Sequence, residues 1–421
     1  MLTTIKQVFS SKNKDIQKRI LFTLGCLAIF ILGKAIIVPG INKDALGTNT
    51  LGFFQLMNLM GGGSLEQFSI FALGVMPYIT ASIIIQILSM DIVPYLAELS
   101  KQGGTGKLQI NKITRYTGIA LAFIQGYVYS FAYLGNGGGI VNLDYMQFAL
   151  VLTAGTSLLL WIGDQITAKG IGNGISLIIM AGIVANMPTM FVTAFGEMTS
   201  SNGFVGIIEF ILYVLVYVGI IIGVVYVEGA ERRIQIQYAN KSNSSYGGRQ
   251  NYIPFKLNSA GVMPVIFAST LISIPSFIAA IAKNDAITNF VNKWIVMTSP
   301  TGFILYIVLI FLFAYFYTFM QIKPKDTSDN LNKNGGYIPG IRPGEDTVNY
   351  ISKVLTRITV VGATFLAILA GLPIIFGLVT KLSSNVTLGG TGLLIVVGVV
   401  LETYKQIESQ VQSRSYKKGR R

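Results

Sequence analysis

Apolar runs of roughly twenty residues, each long enough to cross a bilayer, recur along the whole of this chain. They occupy residues 20–38, 68–88, 117–134, 145–162, 171–190, 205–227, 260–281, 303–320, 358–378 and 387–401. A hydrocarbon core about 30 Å thick is crossed at about 1.5 Å per residue, so each run reads as one membrane-spanning helix. Composition agrees with that reading. Charged residues are 12% of the chain and the AVILMFWYC set is 52%, whereas soluble chains carry about 25% charged residues to coat a wet surface. The expected fold is an all-α integral membrane protein with ten spans, which puts both termini on one side.

Charge placement orients the spans. The net charge is +14. If the N-terminus is cytoplasmic, only Lys34, Lys43, Lys283, Lys293 and Lys381 of the 32 Lys and Arg fall on the far side. The positive-inside rule therefore places both termini in the cytoplasm. Segment 1–19 is polar and basic, and no small-residue cleavage site follows it, so no cleaved signal peptide is expected. The two longest cytoplasmic loops, 228–257 and 323–357, are rich in Asn, Ser, Gly, Lys and Arg. They are expected to project as protein-binding hairpins.

The residues exclude most chemistry. There is no histidine, and the one cysteine, Cys26, lies in an apolar run and reads as a packing residue. Within the runs the charged residues stand near the outer ends, at Lys34 and Glu209. Segment 101–107 resembles a phosphate loop only in its glycines, because Lys101 replaces the first Gly and Leu108 the Ser or Thr. Gly170-Ile-Gly-Asn-Gly174 follows no strand and is not a dinucleotide fingerprint. An enzyme is not expected, nor a cofactor, nor a metal site. A solute transporter of inverted-repeat type remains an alternative on architecture, but the uncharged midplane disfavours it. Met-Pro pairs interrupt the second and seventh runs (Met76-Pro77, Met263-Pro264), and Ala-Ser follows each (Ala81-Ser82, Ala268-Ser269). A repeat of five spans and five is expected, with halves at 1–190 and 191–421.

Three segments carry a resemblance. They are Phe71-Ala-Leu-Gly-Val-Met-Pro-Tyr-Ile-Thr-Ala-Ser-Ile-Ile-Ile-Gln86, Gly170-Ile-Gly-Asn-Gly-Ile-Ser176 and Gly336-Tyr-Ile-Pro-Gly-Ile-Arg-Pro-Gly-Glu345. With Glu231-Arg-Arg233 and Gly389-Gly-Thr-Gly-Leu-Leu-Ile395, they resemble bacterial SecY, the central subunit of the Sec protein-translocation channel. The likeness runs from the first span to the last. It implies a protein-conducting channel in the bacterial plasma membrane, with two inverted five-helix halves around an hourglass pore. Unfolded secretory proteins would pass across, and membrane segments would leave sideways. An accessory form dedicated to a few adhesin-type substrates is the nearest alternative.

The resemblance also assigns roles. A mid-membrane isoleucine constriction would comprise Ile79, Ile83, Ile175, Ile179, Ile266 and Ile395; taken singly, each reads as a core or lipid-facing residue. A plug would comprise Gly61, Gly62 and Gly63 as hinge, then Ser64, Leu65, Glu66, Gln67, Phe68, Ser69 and Ile70 as a half-length helix capped by Ser64. A lateral gate between the second/third and seventh/eighth spans would place Ser82, Gln86, Gln125, Ser269 and Thr270 to hydrogen-bond across the seam. Arg342 would couple to the SecA ATPase, and Arg232, Arg233, Arg249 and Lys256 would contact SecA or the ribosome. Further implied partners are a SecE-like clamp subunit, a SecG-like small subunit, signal peptides with their unfolded preproteins, and anionic lipids beside the basic tail.

Overall fold

A computed structural model describes residues 14–39, 58, 61, 63–65, 68–90, 92–134, 143–238, 251–282, 284–297, 299–380 and 384–418. Ten helices answer the ten apolar runs. In order they are Lys14–Lys34, Met76–Leu88, Gly104–Leu134, Leu143–Lys169, Gly174–Asn202, Phe204–Gly229, Met263–Ala282, Pro300–Gln321, Glu345–Thr380 and Ser384–Lys418. Three short helices, Pro94–Lys101, Asp285–Trp294 and Pro324–Lys333, lie between them.

The helices and the runs differ for a physical reason. The third helix starts at Gly104, the ninth at Glu345, and the tenth continues to Lys418. Apolarity marks only the stretch in lipid, while a helix satisfies its own backbone and can continue into water. The second helix is instead shorter than its run, with 13 residues or about 20 Å of length. Pro77 in its first turn supplies a helical φ and lacks the N–H that would go unpaired there. Residues 71–75 before it are turns, with Gly74 at φ +55°. Phe71, Ala72, Leu73 and Val75 are buried in protein, the setting in which irregular backbone is tolerated at membrane depth.

Helix packing repeats. In the first half, the first helix touches the fourth and fifth, and second–third, third–fourth and fourth–fifth pairs follow. In the second half, the sixth helix touches the ninth and tenth, and seventh–eighth, eighth–ninth and ninth–tenth pairs follow. The two sets meet where the fifth helix packs on the sixth and tenth, and where the third touches the seventh. The expected division at 190/191 falls inside the fifth helix, which runs to Asn202 and ends at Gly203 with φ +55°.

The Gly170–Ser176 motif is a helix start. Gly172 has φ +88°, and the Asn173 side chain accepts from the Ile175 and Ser176 amides. A Cβ on Gly174 would strike the Gly163 carbonyl, so the glycine lets the fourth and fifth helices close together. The Thr23 hydroxyl on the first helix accepts from the Ile171 amide at 3.1 Å, joining these elements. Arg115 and Asp164 pair between the third and fourth helices.

Both long polar loops enter one antiparallel sheet of order β2-β1-β3, formed by β1 (Glu231–Tyr238), β2 (Asn251–Lys256) and β3 (Gly336–Tyr337). The first loop forms a hairpin of β1 with β2, as expected, whereas the second contributes the helix Pro324–Lys333 and β3, which joins the same sheet. β1 pairs with β3 through Gln237↔Tyr337 and Tyr238↔Gly336, and the Tyr337 hydroxyl bonds Gln237 Oε1 at 3.0 Å. Ile234, Ile236, Phe255, Leu331, Ile338, Ile351, Leu355 and Ile358 form an apolar core beneath it. The loops are anchored because they bury that core jointly.

Candidate functional site

Isoleucines from the second, fifth, seventh and tenth helices are brought together by tertiary packing. Ile79, Ile83, Ile179, Ile266 and Ile395 are each at most 6% exposed and belong to one apolar cluster, against which half-buried Ile175 packs. Ile179, Ile266 and Ile395, from the fifth, seventh and tenth helices, line a single cavity of about 180 Å³. Ile79 and Ile83 share the cluster without lining that cavity. Its other walls include Glu228, Lys256, Asn258, Glu402 and Lys405. The Asn258 amide donates to Glu228 Oε1 at 2.9 Å and to the Gly261 carbonyl at 3.0 Å, and Lys405 Nζ donates to the Glu228 carbonyl at 2.8 Å. The cavity thus joins a hydrogen-bonded polar wall to branched aliphatic side chains, which offer an ion no hydrogen bonds.

Segment 61–70 is seated among the helices. Its described members Gly61, Gly63, Ser64, Leu65, Phe68 and Ser69 are buried, and Ile70 is half-buried; Gly62, Glu66 and Gln67 lie outside the described residues. The expected half-helix capped by Ser64 is not what these residues form. They make turns, and the Ser64 hydroxyl donates forward to the Phe71 carbonyl at 3.1 Å. Contacts to other elements decide this. The Val38 amide donates to the Phe68 carbonyl at 2.8 Å, the Ile70 amide to the Ile36 carbonyl at 3.0 Å, and the Tyr129 hydroxyl to the Leu65 carbonyl at 2.9 Å. Phe68 has φ +47°, a left-handed conformation that costs a bulky residue roughly 1–2 kcal/mol. Its ring rests 5.0 Å from that of Tyr129. Gly155 leaves room for the Ile70 carbonyl, which a Cβ there would strike.

Of the candidate gate residues, Ser82, Gln86, Ser269 and Thr270 bond within their own helices. Gln86 Nε2 donates to Ser82 Oγ at 3.1 Å, and the Ser269 and Thr270 hydroxyls both donate to the Ile266 carbonyl at 2.8 Å. Gln125 is 6% exposed, and neither its Oε1 nor that of Gln86 has a partner among the described residues. The expected bonds across the seam are therefore absent among the described residues.

The basic candidates spread over the sheet and its flanking turn. Arg232, Arg233 and Lys256 are exposed on β1 and β2, and Arg249 lies outside the described residues. Arg233 lies 4.7 Å over the Tyr252 ring and donates to Glu231 Oε1 at 2.6 Å. That hydrogen bond pushes its guanidinium above the ordinary value, so it stays charged throughout the physiological range. Arg342 is exposed between Gly340 at φ +81° and Gly344 at φ +104°, and its carbonyl accepts from the Thr347 hydroxyl at 2.9 Å. The turn is thereby held while the guanidinium stays free to meet a carboxylate. Sequence reasoning missed Tyr129 and Asn258. One aromatic in an apolar run and one Asn before a span carry no signal until their partners are seen.

This is the architecture of a protein-conducting membrane channel. The fold matches a solved structure described as "The structure of a protein conducting channel" with a TM-score of 0.67 at 20% identity, covering 94% of this chain and 92% of that one. It also matches Sec61 in the canine ribosome–channel complex from the endoplasmic reticulum, with a TM-score of 0.66 at 20% identity and the same coverage. Residues 69–404 match the family model described as SecY. The protein translocase subunit SecY of Bacillus licheniformis is 45% identical over 415 residues, 96% of each chain. That of Staphylococcus aureus is 43% identical over 430 residues, 99% of each. The chain belongs to the SecY family, a family of translocation channels rather than of enzymes, and is a multi-pass membrane protein.

Proposed function

We propose that this chain is the pore subunit of a bacterial plasma-membrane translocon, with both termini in the cytoplasm. Unfolded secretory chains pass outward along the axis between two five-helix halves. Hydrophobic membrane segments leave sideways between the second/third and seventh/eighth spans. The observation that carries the reading is the convergence of Ile179, Ile266 and Ile395 on one cavity that Glu228, Lys256, Asn258, Glu402 and Lys405 also line. With Ile79, Ile83 and Ile175 they act as the constriction, yielding around a passing polypeptide while denying ions a hydrogen-bonding path. Segment 61–70 is the plug, and its seat against Val38, Tyr129 and Gly155 supports a closed resting state.

Ser82, Gln86, Gln125, Ser269 and Thr270 tune the sideways exit. The bonds of Ser82, Gln86, Ser269 and Thr270 close within their own helices, which leaves the seam to weak packing that a hydrophobic signal helix can displace. The sheet and the Gly340–Gly344 turn, with Arg232, Arg233, Arg249, Lys256 and Arg342, form the docking face for the SecA ATPase and the ribosome. A SecE-like clamp and a SecG-like subunit complete the assembly, and the basic tail meets anionic lipid. The two halves, expected at 1–190 and 191–421, divide instead at the turn at Gly203; the repeated helix packing supports two halves.

The test is SecA-driven translocation. The chain is reconstituted with its clamp subunit in liposomes, and SecA and ATP are supplied with a preprotein. The preprotein is expected to become protease-protected with the parent and to stay accessible with Arg342→Glu. No protection with the parent, given a demonstrably active motor and clamp, would refute the reading and favour an accessory form with its own motor.

A further inference from the structure

The strongest unassigned feature is the short helix Asp285–Trp294, on the membrane face opposite the sheet. Its apolar residues Ile287, Phe290, Val291 and Trp294 stand at i, i+3, i+4 and i+7, which gathers them on one stripe. Thr288, Asn289, Asn292 and Lys293 occupy the opposite side. Val291 is buried, but Ile287, Phe290 and Trp294 are 40%, 58% and 48% exposed. A stripe half turned into the protein and half left bare calls for a cover.

The helix is tied closely to two spanning helices. Two residues separate it from the seventh spanning helix and five from the eighth, and it packs on both. Asn284 caps its start, accepting from the Ala286 amide at 2.9 Å. The Thr301 hydroxyl at the head of the eighth helix donates to the Trp294 carbonyl at 2.8 Å and pins its end. The neighbouring spans present bare apolar rows, Leu271, Ile274 and Ile278 on the seventh and Ile304, Val308 and Leu312 on the eighth. Lipid covers such rows in a membrane protein, and the bare stripe begins where they end.

We infer that Asp285–Trp294 lies flat in the bilayer interface, with Ile287, Phe290 and Trp294 sunk into the acyl boundary and its polar side turned to the headgroups. Tryptophan suits this depth because its ring is apolar and its N–H is polar. Lys293 Nζ, 5.9 Å from the Trp294 ring centroid, faces headgroup phosphate. Amphipathic helices of this kind bind interfaces through the area they sink. The occupant is lipid, and the consequence is mechanical. The ends of the seventh and eighth helices are moored together to one leaflet, so this pair moves as a unit against the third helix.

The chain has two tryptophans, Trp161 and Trp294, which makes the test direct. Trp161→Phe leaves Trp294 as the sole reporter in the full-length protein, reconstituted in phosphatidylcholine vesicles. Lipids brominated near the headgroup are expected to quench its emission more than lipids brominated near the chain ends, and aqueous iodide to quench it weakly. Trp294→Phe, reporting Trp161 alone, controls for correct insertion. Strong iodide quenching without bromine quenching would overturn the inference by placing the helix in water. Shielding from both quenchers would overturn it equally, by showing a protein cover. Ile287→Asn with Phe290→Asn, in the Trp161→Phe background and with insertion verified by protease protection, is expected to abolish the bromine effect.

Discussion

Tyr129 should hold segment 61–70 in its seat, and Tyr129→Phe isolates that contribution. Phenylalanine keeps the ring that lies 5.0 Å from Phe68 and removes only the hydroxyl that donates to the Leu65 carbonyl at 2.9 Å. Tyr129 and Leu65 are both 1% exposed, so water does not replace the lost donor. The Leu65 carbonyl keeps its bond from the Phe68 amide at 3.0 Å, so the change removes one net hydrogen bond, about 1 kcal/mol. Bonds between helices in membranes average nearer 0.6 kcal/mol. A loss of about 0.6–1 kcal/mol raises the unseated fraction about 3- to 5-fold. The assay is chemical: Leu65→Cys in a Cys26→Ser background carries one buried thiol, and a water-soluble maleimide labels it only when the segment leaves its seat. With reclosing faster than labelling, the rate tracks the unseated fraction. Tyr129→Phe should speed labelling by that factor. Tyr129→Ala should speed it further, because truncating a buried aromatic costs about 3–5 kcal/mol. Parental labelling rates in both variants would refute the idea that Tyr129 holds the segment.

Other consequences follow from named contacts. Ile179→Asn puts a hydrogen-bonding group on the cavity wall and should raise ion leak through reconstituted protein; an unchanged leak removes Ile179 from the constriction. Ile351→Ala, at a fully buried position under the sheet, should cost about 2–5 kcal/mol locally and speed hydrogen exchange at the Ile234 and Ile236 amides. Gly174→Ala should lower the melting temperature through overpacking of about 1–3 kcal/mol, since its Cβ meets the Gly163 carbonyl backbone.

Several elements were legible in the amino acids because lipid makes their rules local. Within a hydrocarbon core each span must satisfy its own backbone, so an uncharged run of sufficient length is a helix whatever its neighbours do. Glycine tolerates positive φ, so Gly172, Gly340 and Gly344 permit the turns at 170–176 and 336–345, and the fold selects that conformation. Segment 61–70 misled for the complementary reason. Its polar and glycine-rich pattern fits a short helix, but bonds from Val38 and Tyr129 and to Ile36 hold it in turns, and no local pattern reports them. The seam residues misled likewise, because a hydroxyl that can bond across helices can also bond the carbonyl one turn back in its own.

By itself, then, the sequence determined the ten spans, the weak supply of reactive groups and the side on which basic residues gather, all of which follow from the local cost of polar atoms in lipid. Tertiary structure alone decided that isoleucines from the fifth, seventh and tenth helices meet on one cavity, and that loops a hundred residues apart join as β1 and β3. It also decided that Ile287, Phe290 and Trp294 stay exposed while Val291 of the same stripe is buried. Those outcomes depend on which distant side chains exclude one another from space, and no window of neighbouring residues contains that information.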